Sequence, residues 1–166
     1  MQEQTKEYAD LDIQFLDQAI ELSGFSASKK GQLVGGPFGA IIVRDGKILG
    51  QAINNVLVLN DPTAHAEVQT IRMACANEKS FDLKGATLYT SCEPCPMCLM
   101  AAKWANIGKI YYAATRKDAA KIGFQDEELY KLLKRGKYAT PIKECRRHAL
   151  KEMRRWKKKF GEEAQY

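Results

Sequence analysis

Two short segments constrain this chain more than anything else in it: His65-Ala66-Glu67 and, further on, Pro94-Cys95-Pro96-Met97-Cys98. Each falls where a helix is expected to open. Ahead of the first, Asp61 suits a helix cap and Pro62 a first helical position, so a helix is predicted from there to about Asn77. Ahead of the second, Ala86–Ser91 reads as a strand, Pro94 and Pro96 break the chain, and a helix follows through Asn106. Two cysteines three apart at a helix start present two thiolates to one metal ion. One imidazole from elsewhere then completes a three-ligand zinc site with its fourth position open to water. Such a site needs a carboxylate outside the ligand set to move protons, and Glu67 stands two residues from His65. A structural zinc site would instead close with a fourth ligand, for which His148 or Cys92 is available. Residues two apart on a regular helix point to opposite sides, so His65 and Glu67 converge only at a helix mouth.

The remaining elements follow from periodicity. Leu11 to Ser23 has helical apolar spacing, and Ser26 to Gly36 reads as a loop. Phe38 to Arg44 and Lys47 to Asn54 are strands joined by a tight Asp45-Gly46 turn. Lys109 to Ala114 is a fourth strand and Asp126 to Arg135 a helix. Thr140 to Cys145 is read as a fifth strand, ahead of a helix over Arg146 to Phe160. Strands alternating with helices of crossover length predict an α/β protein. The expected architecture is a three-layer α/β/α sandwich around a mixed, five-stranded sheet.

At 166 residues, 45% hydrophobic and 28% charged, the chain has the length and composition of one globular domain with a real core. That excludes disordered, collagen-like and disulfide-miniprotein classes. No apolar run approaches a membrane span and the N-terminus lacks a signal-peptide pattern, so a cytoplasmic protein is expected. In a reducing compartment the clustered Cys92, Cys95 and Cys98 read as metal-binding or catalytic rather than as a disulfide framework, while Cys75 and Cys145 stand alone. The net charge of +6 is uneven, because 13 of the 26 Lys and Arg lie between Lys131 and Lys159 against only Glu144 and Glu152. Such a block fits a solvated face, an acidic partner surface or nucleic acid.

The stretches GPFGAIIV, NDPTAHAEVQTIR and LYTSCEPCPMC resemble the cytidine-deaminase superfamily, whose zinc signature is H-x-E followed by P-C-x-x-C. In detail, over about Gly36 to Tyr130, the resemblance is to the bacterial guanine deaminases. It implies one zinc ion held by His65, Cys95 and Cys98, with Glu67 as proton shuttle and Cys92 as a buried strand-end residue. It further implies that Phe38, Asn54, Ala66, Trp104 and Asp126 contact the purine, with Asp126 also helping to move protons. The implied reaction is hydrolysis of guanine to xanthine and ammonia. The implied assembly is a homodimer in which the C-terminal tail, from about residue 140 of a single 1–166 domain, is exchanged, so that Tyr166 closes the partner's pocket. The tail RRHALKEMRRWKKKF is more basic than that pattern.

A tRNA adenosine deaminase shares the fold and zinc motif, and would place the basic tail on RNA. Those enzymes more often read Leu-Glu-Pro-Cys where this chain has Ser91-Cys92-Glu93-Pro94-Cys95. Deamination of cytosine or another aminated heterocycle is a further alternative. A zinc-stabilised RNA-binding module is the non-enzymatic one, and it has no use for Glu67 beside an open site.

Overall fold

Apolar side chains at alternating positions send β1 into two cores at once. The computed structural model describes residues 10–25, 33–135 and 146–160. Strand β1 (Gly39–Arg44) directs Ala40 and Ile42 to one face of the sheet and Ile41 and Val43 to the other. Helix α1 (Asp10–Gly24) covers the second face with Phe15 and Ala19, where Phe15 also meets the Tyr89 ring at 5.5 Å. Helices α3 (Ala66–Glu78) and α4 (Pro96–Trp104) cover the first face through Ala66, Ile71, Ala74 and Ala102. The three layers are those expected from the sequence.

Among the described residues the sheet has four strands in the order β2-β1-β3-β4, with β2 at Lys47–Ile53, β3 at Thr87–Cys92 and β4 at Lys109–Ala114. The pairings β1–β2 and β1–β3 are antiparallel and β3–β4 is parallel, so the sheet is mixed. Asp45 and Gly46 have φ of 51° and 75°, the left-handed pair that a two-residue hairpin with right-handed twist requires. The expected fifth strand, Thr140 to Cys145, lies outside the described residues.

Two local differences from the sequence reading have a clear cause. Asp61 caps a turn rather than a helix: its Oδ1 accepts from the Thr63 N–H at 2.8 Å and from the Thr63 hydroxyl at 2.7 Å. The helix therefore starts only at Ala66. Two short helices went unread, α2 (Val56–Leu59) and α5 (Arg116–Lys121), the second held by a reciprocal capping box between Thr115 and Asp118. The chain divides into two compact units, residues 1–126 and 127–166. In the second, α6 (Glu127–Arg135) carries an acidic first turn and α7 (Arg146–Phe160) is strongly basic.

Candidate active site

The topology sends the chemistry to one edge of the sheet. Because β2 and β3 are both antiparallel to β1, they run parallel to each other and to β4. The carboxyl ends of all three strands, and the start of β1, therefore share that edge, where open α/β sheets generally bind ligands. Phe38, Asn54 and Cys92 mark it, and Asn54 N–H donates to the Phe38 carbonyl at 3.0 Å.

His65 is the N-cap of α3 and Cys95 the N-cap of α4, both with extended backbone (ψ 153° and 167°). An N-cap lies outside the helical dihedrals, so His65 escapes the 3.6-residue geometry that would turn it away from Glu67. Cys98 sits in the first turn of α4, after Pro96 has opened the helix at a position where proline's missing N–H costs nothing. The donor atoms of His65, Cys95 and Cys98 all lie within 4.8 Å of one another. The two Sγ atoms are 3.5 Å apart, and His65 Nδ1 is 3.7 Å from Cys95 Sγ and 3.5 Å from Cys98 Sγ. A tetrahedral zinc with bonds of about 2.3 Å to sulfur and about 2.0 Å to nitrogen would set those edges at ~3.8 Å and ~3.5 Å. The donor set fits zinc in chemistry and in spacing.

The electrostatics favour one anionic sulfur at this corner, shared by the two cysteines. Contact with Cys98 and with His65 lowers the Cys95 thiol to about 4, whereas contact with Cys95 and burial push Cys98 far up. Both cysteines lie at the N-terminal, positive end of α4, which helps thiolates. Cys92, at the end of β3, is buried and contacts the Thr115 carbonyl at 3.7 Å. Burial pushes its thiol up to about 11, and it does not join the cluster of donors.

Glu67 is 6% exposed in the first turn of α3, and its carboxyl is raised chiefly by burial and further by negative charge on Cys95. Thr70 fixes that turn, donating to the Ala66 carbonyl at 2.7 Å and reaching the Ala40 carbonyl of β1 at 3.2 Å. Ala66 is fully buried with its methyl group in the core, so only its backbone is left to face a ligand.

Asn54 is buried, and its Oδ1 accepts from the N–H groups of Gly36 and Val56, both at 3.2 Å. Two backbone donors fix which end of the amide is oxygen, leaving Nδ2 as the available donor. Phe38 meets Phe124 edge to face, with ring centroids 5.0 Å apart. Asp126, two residues beyond Phe124, is half-buried; its carboxyl is raised by that burial and then by charge on Cys95. Trp104 ends α4, far from the cap that carries Cys95, and is 70% exposed. Tyr166 lies outside the described residues.

Sequence reasoning overlooked three contributors. Phe124 was passed over although it stands beside Asp126. Gly35 was read only as loop and Gly36 was given no role of its own, yet a Cβ on Gly35 would come within 2.2 Å of Asn54 Oδ1, and one on Gly36 within 2.9 Å of both phenyl rings. Glu93 joins the cysteine loop to α5, accepting from the Arg116 N–H at 3.0 Å. The double glycine was the visible signal for the second of these.

A profile of the cytidine and deoxycytidylate deaminase zinc-binding region matches residues 10–114. Guanine deaminase of Bacillus subtilis is 50% identical over 119 residues, which are 70% of this chain and 73% of that one. The X-ray structure of guanine deaminase from Bacillus subtilis superposes with a TM-score of 0.68 at 49% identity, covering 72% of this chain and 74% of that one. The tRNA-specific adenosine deaminase of Agrobacterium fabrum is 42% identical over 95 residues, 57% of this chain and 62% of that one. With the donor triangle, the buried glutamate and the mixed sheet in place, these matches establish that the chain belongs to the cytidine and deoxycytidylate deaminase family, a family of zinc-binding deaminases.

Proposed function

We propose that the protein is a zinc-dependent guanine deaminase, converting guanine and water to xanthine and ammonia. The observation that carries this reading is the triangle of His65, Cys95 and Cys98 donors beside a buried, non-ligating Glu67. The 50% identity to a guanine deaminase supports the choice of base. His65, Cys95 and Cys98 hold the metal. When bound, zinc supplies the Lewis acidity that lets a water ionise near pH 7.

Glu67 accepts the proton of the attacking water and passes it to the ring nitrogen beside the amino-bearing carbon. A carbon–oxygen bond forms, the new hydroxyl gives up its proton through Glu67 or Asp126 to the amine, and the carbon–nitrogen bond breaks to release ammonia and leave the carbonyl. A carboxyl raised by burial suits this two-way traffic, because it holds a proton more readily than an exposed carboxylate and can still give it up. Asn54 Nδ2 donates to an acceptor on the purine, and Phe38 packs against its face. The backbone of Ala66 completes the polar contacts.

Trp104, exposed in the single chain, and Tyr166 belong on this reading to a pocket finished by a second copy. That copy is a homodimer partner with an exchanged C-terminal segment, and the separate compactness of residues 127–166 supports it. Among the described residues no helix is long and apolar enough to cross a membrane. A cytoplasmic setting fits a site that needs reduced cysteines.

Ammonia release from guanine, guanosine, adenine, cytosine and tRNA, measured in parallel on zinc-loaded protein, tests the assignment. Guanine is expected to be the fastest substrate. Faster turnover of tRNA or cytosine would overturn it.

A further inference from the structure

Helix α7 takes no part in the chemistry above, yet it holds the densest charge in the chain. Its fifteen residues carry eight Lys and Arg against one acid, Glu152. Arg147, Lys151, Arg154 and Lys158 stand at i, i+4, i+7 and i+11, a spacing that aligns them along one side of a helix. All four are exposed. At ~1.5 Å of rise per residue the line is about 16 Å long.

Like charges three and four apart on a helix repel, and exposed helices usually answer this with an acid at the same spacing. This chain does so elsewhere: Lys121 pairs with Asp118 at 2.8 Å and Lys131 with Glu128 at 2.7 Å. On α7 itself Arg155 takes Glu152 at 3.8 Å. Among the described residues the four aligned cations have no acidic partner, so an extended anion laid along them relieves their mutual repulsion.

Two kinds of extended anion fit a basic helix, and the pattern of α7 separates them. Burial in an anionic bilayer needs an apolar face of about 100° or more. Here Ala149, Leu150, Met153 and Trp156 span about 120° at ~100° per residue, but Arg146 and Lys157 fall inside that span, between Met153 and Leu150, so the unbroken apolar strip covers only about 60°. Cations on most of the circumference suit a phosphate chain instead.

We infer that α7 is a docking surface for the phosphodiester backbone of an RNA strand, with Arg147, Lys151, Arg154 and Lys158 each opposing a phosphate. Neutralising four phosphates of a single strand gives a slope of log K against log salt of about −2.8, hence roughly 50-fold weaker binding at 200 mM than at 50 mM salt.

Fluorescence anisotropy of a labelled 20-nucleotide oligouridylate with the full-length, zinc-loaded protein reads this slope directly. The R147Q/K151Q/R154Q/K158Q variant is expected to flatten it by about 2.8 and to weaken binding at least 10-fold at low salt. The charge-conserving R147K/R154K variant should keep the wild-type slope. A wild-type circular dichroism spectrum and wild-type zinc content confirm that the neutralised variant is folded. Absence of oligouridylate binding at 50 mM salt overturns the inference, as does an unchanged slope in the neutralised variant. Binding to phosphatidylserine vesicles without binding to RNA overturns it too. None of these readouts depends on which base the active site deaminates.

Discussion

Gly35→Ala isolates the support beneath Asn54. The added methyl would lie 2.2 Å from Asn54 Oδ1, 2.5 Å from its backbone oxygen and 2.9 Å from its carbonyl carbon. Neither group retreats without cost: the buried Asn54 amide is held by two backbone N–H groups, and its backbone directly follows β2 with the N–H tied to the Phe38 carbonyl at 3.0 Å. Moving the amide breaks its bonds from the Gly36 and Val56 N–H groups. At roughly 0.5–1.5 kcal/mol net for each bond, the loss is about 1–3 kcal/mol. For a chain of this size that is a fall in Tm of about 2–12 °C. On the proposed reading Nδ2 donates to the purine, so displacing it should raise KM for guanine about 5- to 10-fold. Zinc content should be unchanged, because no ligand moves. Gly24→Ala is the control: a Cβ there meets nothing within 4 Å, so Tm and KM should stay at wild-type values. Differential scanning calorimetry, steady-state kinetics and metal analysis on both variants decide the matter. A Gly35→Ala protein with wild-type Tm and KM would refute the claim that this glycine holds the amide in place.

Cys95→Ala should lose zinc and activity, whereas Cys92→Ser should keep the metal, as read by metal analysis of the purified proteins. Since burial holds the Cys92 thiol at about 11, it stays protonated at pH 8, well below that value, and iodoacetamide should leave it unmodified by mass spectrometry. Glu67→Gln preserves shape but carries no proton, so kcat should fall about 1,000-fold or more with zinc retained. Deleting Ala164 to Tyr166 should slow guanine turnover with fold and zinc intact, and wild-type kinetics in that truncation would remove the lid role from Tyr166.

The layers, the four described strands and the donor triad were legible because each rests on local chemistry. Alternation in Ala40–Val43, the Asp45-Gly46 turn and the proline-cysteine spacing act within a few residues of themselves. The start of α3 was not legible, because Asp61 and Thr63 satisfy each other in a turn, and a cap and a turn use the same side chain in the same way. Helix α2 was hidden in VLVL, whose valines favour strands and whose four residues are too few to show a period. Phe124 and the double glycine escaped for a different reason. Their value lies in contacts across the fold, to Phe38 and to Asn54, which no spacing within the chain reveals.

The shared edge from which α3, α4 and α5 all begin has a consequence for how such a protein changes over generations. The metal donors sit on two helix starts packed against the sheet, whereas Gly35 and Gly36, Asn54 and the residues from Phe124 to Asp126 sit in the connections beyond the strand ends. Loops at strand ends tolerate replacement far better than the elements they join. A lineage could therefore exchange those connections and acquire a new substrate while inheriting its hydrolytic centre unaltered. That separation gives a physical reason why this chain keeps 42% identity with a tRNA-specific adenosine deaminase over 95 residues while resembling a guanine deaminase more strongly. Redesign of the specificity should begin at the connections and leave both caps untouched.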